Sequence, residues 1–176
     1  MKRCIVLSIL SIVLIGALGD SLGQNNSSAA VTGSAAFESL KKLAGEWQGT
    51  MTEKDKGPQM TLTYRLTANG SALIETIFPG TEHEMVTVYH MNGNELVLTH
   101  YCAGGNQPQM ELDKTSTAQK LVFNFSGGTN LNESKDAHMH SGRIALIDEN
   151  SIECSWDGYQ EGKKTGENKF YLSRKK

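Results

Sequence analysis

The sequence predicts an all-β fold: a closed antiparallel up-and-down β-barrel of about ten strands with one short N-terminal helix. Three observations predict it. Beyond Trp47, apolar and polar residues alternate with a period of two through almost every segment. These segments are separated by short turns rich in Gly, Pro and Asn. No second stretch has the length or the 3.6-residue period of a βαβ crossover helix. A meander of that size is expected to close on itself, because closure removes the two unpaired edges. A two-sheet sandwich is the alternative.

The chain has 176 residues. It begins with a basic stretch, Met1-Lys2-Arg3-Cys4, followed by the apolar run IVLSILSIVLIGAL. That run is about 14 residues long, within the range of a signal-peptide core and short of the ~20 that span a bilayer. Residues 1–23 are expected to be a signal peptide cleaved before Asp20 or Gln24, leaving no stable membrane span. The protein is then periplasmic or extracellular. Residues 24–35 are small and polar and form a flexible leader, and 36–176 form the barrel domain.

The one helical segment is SAAFESLKKLAG, with Phe37, Leu40 and Leu43 on one face, Ser34 as N-cap and Gly45 as the stop. A first strand runs through Trp47, Gly49 and Met51, and Lys56-Gly57-Pro58 turns into the alternating run MTLTYRLT. Asn69-Gly70 reads as a hairpin turn into a strand over 72–78, and Pro79-Gly80 leads into EHEMVTVYHM. Asn92-Gly93 turns into ELVLTHYCA, and Gly104-Gly105-Asn106-Gln107-Pro108 separates this from QMELD. LVFNF is bounded by Gly127-Gly128, and HMHSGRIALI, SIECSW and ENKFYLS complete the set.

A formal net charge of -2 gives no electrostatic reason to expect nucleic acid or an anionic membrane as partner. With Cys4 removed, Cys102 and Cys154 remain. A disulfide between them would close a loop of roughly 50 residues and stabilise the fold by about 3–4 kcal/mol. Two buried free thiols are the other reading. Neither cysteine lies in a C-x-x-C motif.

LKKLAGEWQGT places Gly45-x-Trp47 after a short helix at the start of the first strand. In this it resembles the lipocalins and their calycin relatives. The resemblance implies a barrel plugged at one end by Trp47, with Arg174 from the last strand packed over it. LAGEWQG, PGTEHEMVTVYH and LVLTHYCAGGNQPQM also resemble secreted bacterial lipocalin-like domains of unknown function. The absence of a second T-D-Y-type motif brings the chain closer to ten-stranded fatty-acid-binding and nitrobindin-like barrels. The latter hold haem through a histidine on a late strand, and no histidine follows His140, so haem is disfavoured.

The leading functional expectation is a non-catalytic module holding a small apolar or amphipathic molecule inside the barrel. Tyr64, Met85, Tyr89, Leu98, His100 and Phe123 are the expected lining, with Phe78, Tyr101, Phe125 and Trp156 as further aromatics on the strands. No catalytic residues are assigned. The alternative is a zinc-type metal protein or enzyme. If Asn92-Gly93 is a two-residue turn, Met85 pairs with His100 and His83 with Cys102. His83 and His100 then share the inner face with Tyr89 and Leu98, and His138-x-His140 could bring two more imidazoles to the same ion. A turn that includes Asn94 instead brings His90 to that face, too far along the strands to share it. A third reading is a structural envelope protein with a filled core. The intact mass of protein exported from a bacterial host should correspond to a start at Asp20 or Gln24; retention of the full-length mass would mean that the apolar run stays on as an anchor.

Overall fold

The computed structural model describes residues 29–176, so the expected signal peptide, Cys4 and most of the leader lie outside the described residues. One helix, α1 (Gly33–Lys41), precedes ten strands: β1 (Gly45–Met51), β2 (Gln59–Thr67), β3 (Ala72–Ile77), β4 (Met85–Asn92), β5 (Glu95–Tyr101), β6 (Gln107–Leu112), β7 (Lys120–Thr129), β8 (His138–Asp148), β9 (Ser151–Gln160) and β10 (Lys163–Arg174). Each strand pairs antiparallel with its neighbours in sequence, and β10 returns to β1, so the sheet is a closed barrel. No helix among the described residues is long and apolar enough to cross a membrane.

Alternation is what makes this closure productive. In β2, Met60, Leu62 and Tyr64 are buried while Thr61 and Arg65 are exposed. In β3, Leu73, Glu75 and Ile77 are buried in strict alternation. A closed sheet sends every second side chain into one enclosed space, where the apolar set of all ten strands meets. Trp47, Leu62, Leu73, Tyr89, Leu96, Leu98, Leu121 and Phe123 fill most of it. Tyr89 and Phe123 meet edge to face with ring centroids 5.7 Å apart.

The closing seam carries the G-x-W segment. Trp47 pairs in register with Arg174, and Met51 with Phe170. The Trp47 ring is fully buried, and its Nε1–H donates to the Leu43 carbonyl at 2.8 Å. The Arg174 guanidinium lies 4.4 Å over the same ring. Its Nη1 and Nη2 donate to the Ala44 and Lys42 carbonyls at 2.9 and 2.8 Å. One cation therefore covers the plug and satisfies carbonyls left open where α1 ends. Gly45 has φ +134°, a backbone conformation that favours glycine, and a Cβ there would press on Arg174 Nη1 at 3.0 Å.

Several expectations need correction. The N-cap is Thr32, whose Oγ1 accepts from the Ala35 N–H at 3.3 Å; Ser34 lies one residue inside the helix. Asn69-Gly70 is not a two-residue hairpin: Ala68–Gly70 forms a 3₁₀ turn, and Thr67 pairs with Ala72. The strand β7 continues through Gly127 and Gly128 to Thr129. Asn92 pairs with Glu95, which puts Gly93 and Asn94 in the β4–β5 turn. Relative to the Asn92-Gly93 turn, register moves by two residues, so the expected faces survive while the partners change.

Cys102 and Cys154 are free thiols, which corrects the disulfide reading. Cys154 faces inward on β9, fully enclosed, whereas Cys102 follows β5 and its Sγ accepts from the Gly104 N–H at 3.4 Å. Trp47→Ala should destabilise the fold by about 3–5 kcal/mol in urea unfolding, since it empties the closed end. Arg174→Ala should cost about 1–3 kcal/mol by losing the ring contact and leaving carbonyls without their cation.

Candidate functional site

The interior is polar along one row. Tyr64 on β2 pairs in register with Glu75 on β3, Glu75 with Thr87 on β4, and Thr87 with His100 on β5. Partners in register share a face, so four adjacent strands project a continuous polar line into the barrel. Tyr64 Oη donates to Glu75 Oε1 at 3.0 Å, and Tyr89 Oη to Oε2 at 2.8 Å. Thr87 Oγ1 lies 3.0 Å from His100 Nδ1. All five side chains are 2% exposed or less, which removes water as their partner.

Burial sets the ionisation of this row. It raises the Glu75 carboxyl above the usual range, against the opposing hydrogen bonds of Tyr89 and Tyr64. Tyr64 and Tyr89 are pushed well above the ordinary phenol range by burial and then by the charge of Glu75. Burial also pushes the Cys154 thiol far up, so it remains a thiol rather than a reactive thiolate. His100 is lowered to about 4 by desolvation, so its imidazole is neutral at ordinary pH.

Beyond His100, toward the end of the barrel opposite Trp47, lies a hollow of about 100 Å³. Three methionines line it, Met51, Met85 and Met139, together with the rings of Phe78 and Phe170. Ile77, His100, Trp156 and Asn168 complete the wall, which carries no charged side chain. His100 and Trp156 lie with ring centroids 5.3 Å apart. His100 Nε2 and Trp156 Nε1 are both buried without a hydrogen-bond partner. Such atoms are rare in a folded interior, and here both belong to side chains that border the hollow. Gly142 explains how Trp156 fits: a Cβ there would lie 2.9 Å from Cζ3, so the benzo edge of the indole rests against β8 and the Nε1 edge turns away.

A larger hollow of about 670 Å³ lies at the other end, beside α1 and the Asp148–Asn150 turn. It is open to solvent, and its one guanidinium is already engaged with the Lys42, Ala44 and Glu149 carbonyls.

Only two of the expected lining residues, Met85 and His100, reach that hollow. Tyr64, Tyr89, Leu98 and Phe123 face inward but are packed core, because large side chains fill the middle of the barrel. Tyr101 is half exposed. The histidines do not converge on one ion. His83 sits in the exposed turn before β4, its N–H donating to Thr81 Oγ1 at 3.2 Å, while His100 is inside. His90 points outward. His138 Nε2 and His140 Nδ1 lie 3.0 Å apart and hydrogen-bond to each other, with His140 stacked between Phe125 and Tyr159. Among the described residues no group of three or more His, Cys, Asp or Glu side chains is placed to hold a metal.

Sequence reasoning missed Glu75, Thr87 and the ion-pair centre at Asp157. The alternation Leu73-x-Glu75-x-Ile77 was the available signal for Glu75. Asp157 is paired with Arg143 at 2.7 Å and Lys164 at 2.6 Å and accepts from Ser141 at 2.9 Å. Burial pushes its carboxyl up, but these partners outweigh burial and hold it well below the usual carboxylate range. No signal along the chain pairs these residues; register does, by setting Ser141 opposite Asp157.

No protein-family profile matches the chain, and no curated protein matches it in sequence. Solved structures do. A protein of unknown function of the DUF3598 family from Nostoc punctiforme matches with a TM-score of 0.50 at 15% identity. The match covers 77% of this chain and 49% of that one, so this chain spans about half the length of that protein. The likeness is one of fold: a ten-stranded closed barrel is the class to which this chain is assigned.

His100 supplies a test. Its imidazole is neutral when folded and protonates in the unfolded chain below about pH 6.5, so acid favours unfolding. Between pH 7 and pH 4 this one group should remove about 3 kcal/mol of stability. Urea unfolding of His100→Gln should show a decline over that window smaller by about the same amount.

Proposed function

We propose that this protein is an exported, non-catalytic binding barrel that holds a small neutral molecule in the hollow between the three methionines and the His100–Trp156 pair. The carrying observation is that the inner face leaves a hollow unfilled at this end, walled by three methionines, Phe78, Phe170 and the uncharged rings of His100 and Trp156. The size supports a compact guest: about 100 Å³ lies below the ~300–1,000 Å³ of drug-sized pockets and far below what a fatty acid or haem requires. Methionine lining supports some adaptability, since a thioether side chain has three soft torsions and makes favourable contacts with aromatic rings. Neutrality is supported by the wall, which offers no counter-charge for an ion. Export rests on the basic and apolar N-terminal pattern, and the lipocalin-like resemblance of the G-x-W segment is consistent with a binding role.

The full chain should take up small neutral guests such as toluene or phenol in ligand-observed NMR or calorimetry. Met139→Phe, which places a rigid ring in the hollow, should abolish uptake while leaving the unfolding midpoint unchanged or raised. Uptake that persists unchanged in this variant would move the site elsewhere and sink the proposal.

A further inference from the structure

A guest held at the far end of the barrel needs a way in, and the rim of the hollow differs from side to side. Large side chains stand on much of it: Met51 at the end of β1, Phe78 after β3, Met85 at the start of β4 and Met139 near the start of β8. Each of these is half-buried, and Phe78 also meets Phe170 edge to face with ring centroids 6.4 Å apart. The side formed by β9 and β10 is different. Of the nine residues bordering the hollow, Asn168 on β10 alone is exposed to solvent. Asn168 stands in register with Trp156 on β9. Two residues nearer the mouth, the same inner face carries Gly158 on β9 and Gly166 on β10, paired with each other. Gly158 is also in register with Met139. The level just above the hollow therefore has a side chain on β8 and none on β9 or β10.

Neither backbone nor packing asks for glycine at 166. Its φ lies outside the left-handed region, and a Cβ there would meet nothing within 4 Å. The φ of Gly158 is likewise ordinary, and a Cβ there would meet only the Thr165 hydroxyl at 3.2 Å, the end of a side chain that can rotate. Glycine inside a strand weakens it, and it occurs where a bulge forms or where a ligand comes close to the backbone. A bulge does lie between Lys164 and Gly166. The bulge type that depends on glycine uses the left-handed conformation, which Gly166 lacks. What the two glycines leave is a bare strip of inner surface from the mouth down to Asn168. Resting on the binding role set out above, we propose that this strip is the entrance to the hollow. Guests pass over Gly158 and Gly166, between Asn168 and Met139, to reach the space among the methionines. The path runs over the sheet and not through it, so β9 and β10 stay paired and the barrel stays closed while a guest moves. Gly158 and Gly166 set the rate of exchange, and the wall of the hollow sets the affinity.

The test follows fluorobenzene exchanging with the full chain by fluorine-19 NMR, which reads association rate, release rate and affinity together. Gly166→Ala, Gly166→Val and Gly166→Leu set side chains of increasing size over the strip, in space that is open. Association and release are expected to slow together as the side chain grows, by about tenfold at leucine, while the dissociation constant moves by less than about twofold. Asn168→Ala, which widens the opening, should speed both rates. Lys169→Leu, on the outer face of the same strand, should leave them as they were. If the larger substitutions do not fold, Gly166→Ala and Asn168→Ala still carry the comparison, with opposite signs expected. Association rates that stay at the unaltered value across the Gly166 series and in Asn168→Ala would overturn the entrance and leave the hollow as the binding site. No uptake of fluorobenzene by the unaltered protein would overturn both.

Discussion

The pairing of β1 with β10 is the constraint on which everything else depends. Once Trp47 stands in register with Arg174 and Met51 with Phe170, the sheet has no edges and its inner face encloses a fixed volume. Every residue of inward parity must then be packed or satisfied without water. Apolar residues meet that demand by interdigitating. Glu75, Thr87 and His100 can meet it only through one another and the two tyrosines.

That requirement divides the barrel into three zones along its axis. The end beside α1 is sealed by Trp47, held by a hydrogen bond to Leu43 and covered by Arg174. The middle is filled by aromatic and branched side chains and crossed by the polar row. The far end, walled by methionines, is where packing stops short and two nitrogens are left over. A buried carboxyl braced by two phenols is an expensive way to fill a core, because burial opposes its charge. It stands in register with Thr87, whose hydroxyl lies 3.0 Å from Nδ1 of the His100 ring that borders the hollow. The seal at one end and the hollow at the other are thus consequences of the same closure.

The outer surface is held by different means. Asp157 gathers Arg143, Lys164 and Ser141 across β8, β9 and β10, the region with the longest ladders. The Phe125–His140–Tyr159 stack, with His138 bonded to His140, ties β7, β8 and β9 together. Burial and then the neighbouring His138 lower the His140 imidazole, which favours its neutral, stacked form.

Much of this was legible in the sequence, for a simple reason. Two-residue alternation decides strand parity, and parity is retained when a two-residue turn slides one residue along the chain and the register moves by two; thus Met85, Tyr89, Leu98 and His100 were assigned to one face even though the β4–β5 partners were not. The Gly45-x-Trp47 pattern likewise points to the seal, because φ +134° beside the Arg174 guanidinium favours glycine. What tertiary structure alone decided is depth and partnership. Alternation cannot say that Tyr64, Leu98 and Phe123 are packed solid while Met51, Met139 and Trp156 border a hollow, because that depends on how seven strands from distant parts of the chain converge. Nor can it say that His83 stops short of its strand, or that Cys102 and Cys154 remain apart. Faces are local properties of a strand; volumes and contacts belong to the closed sheet.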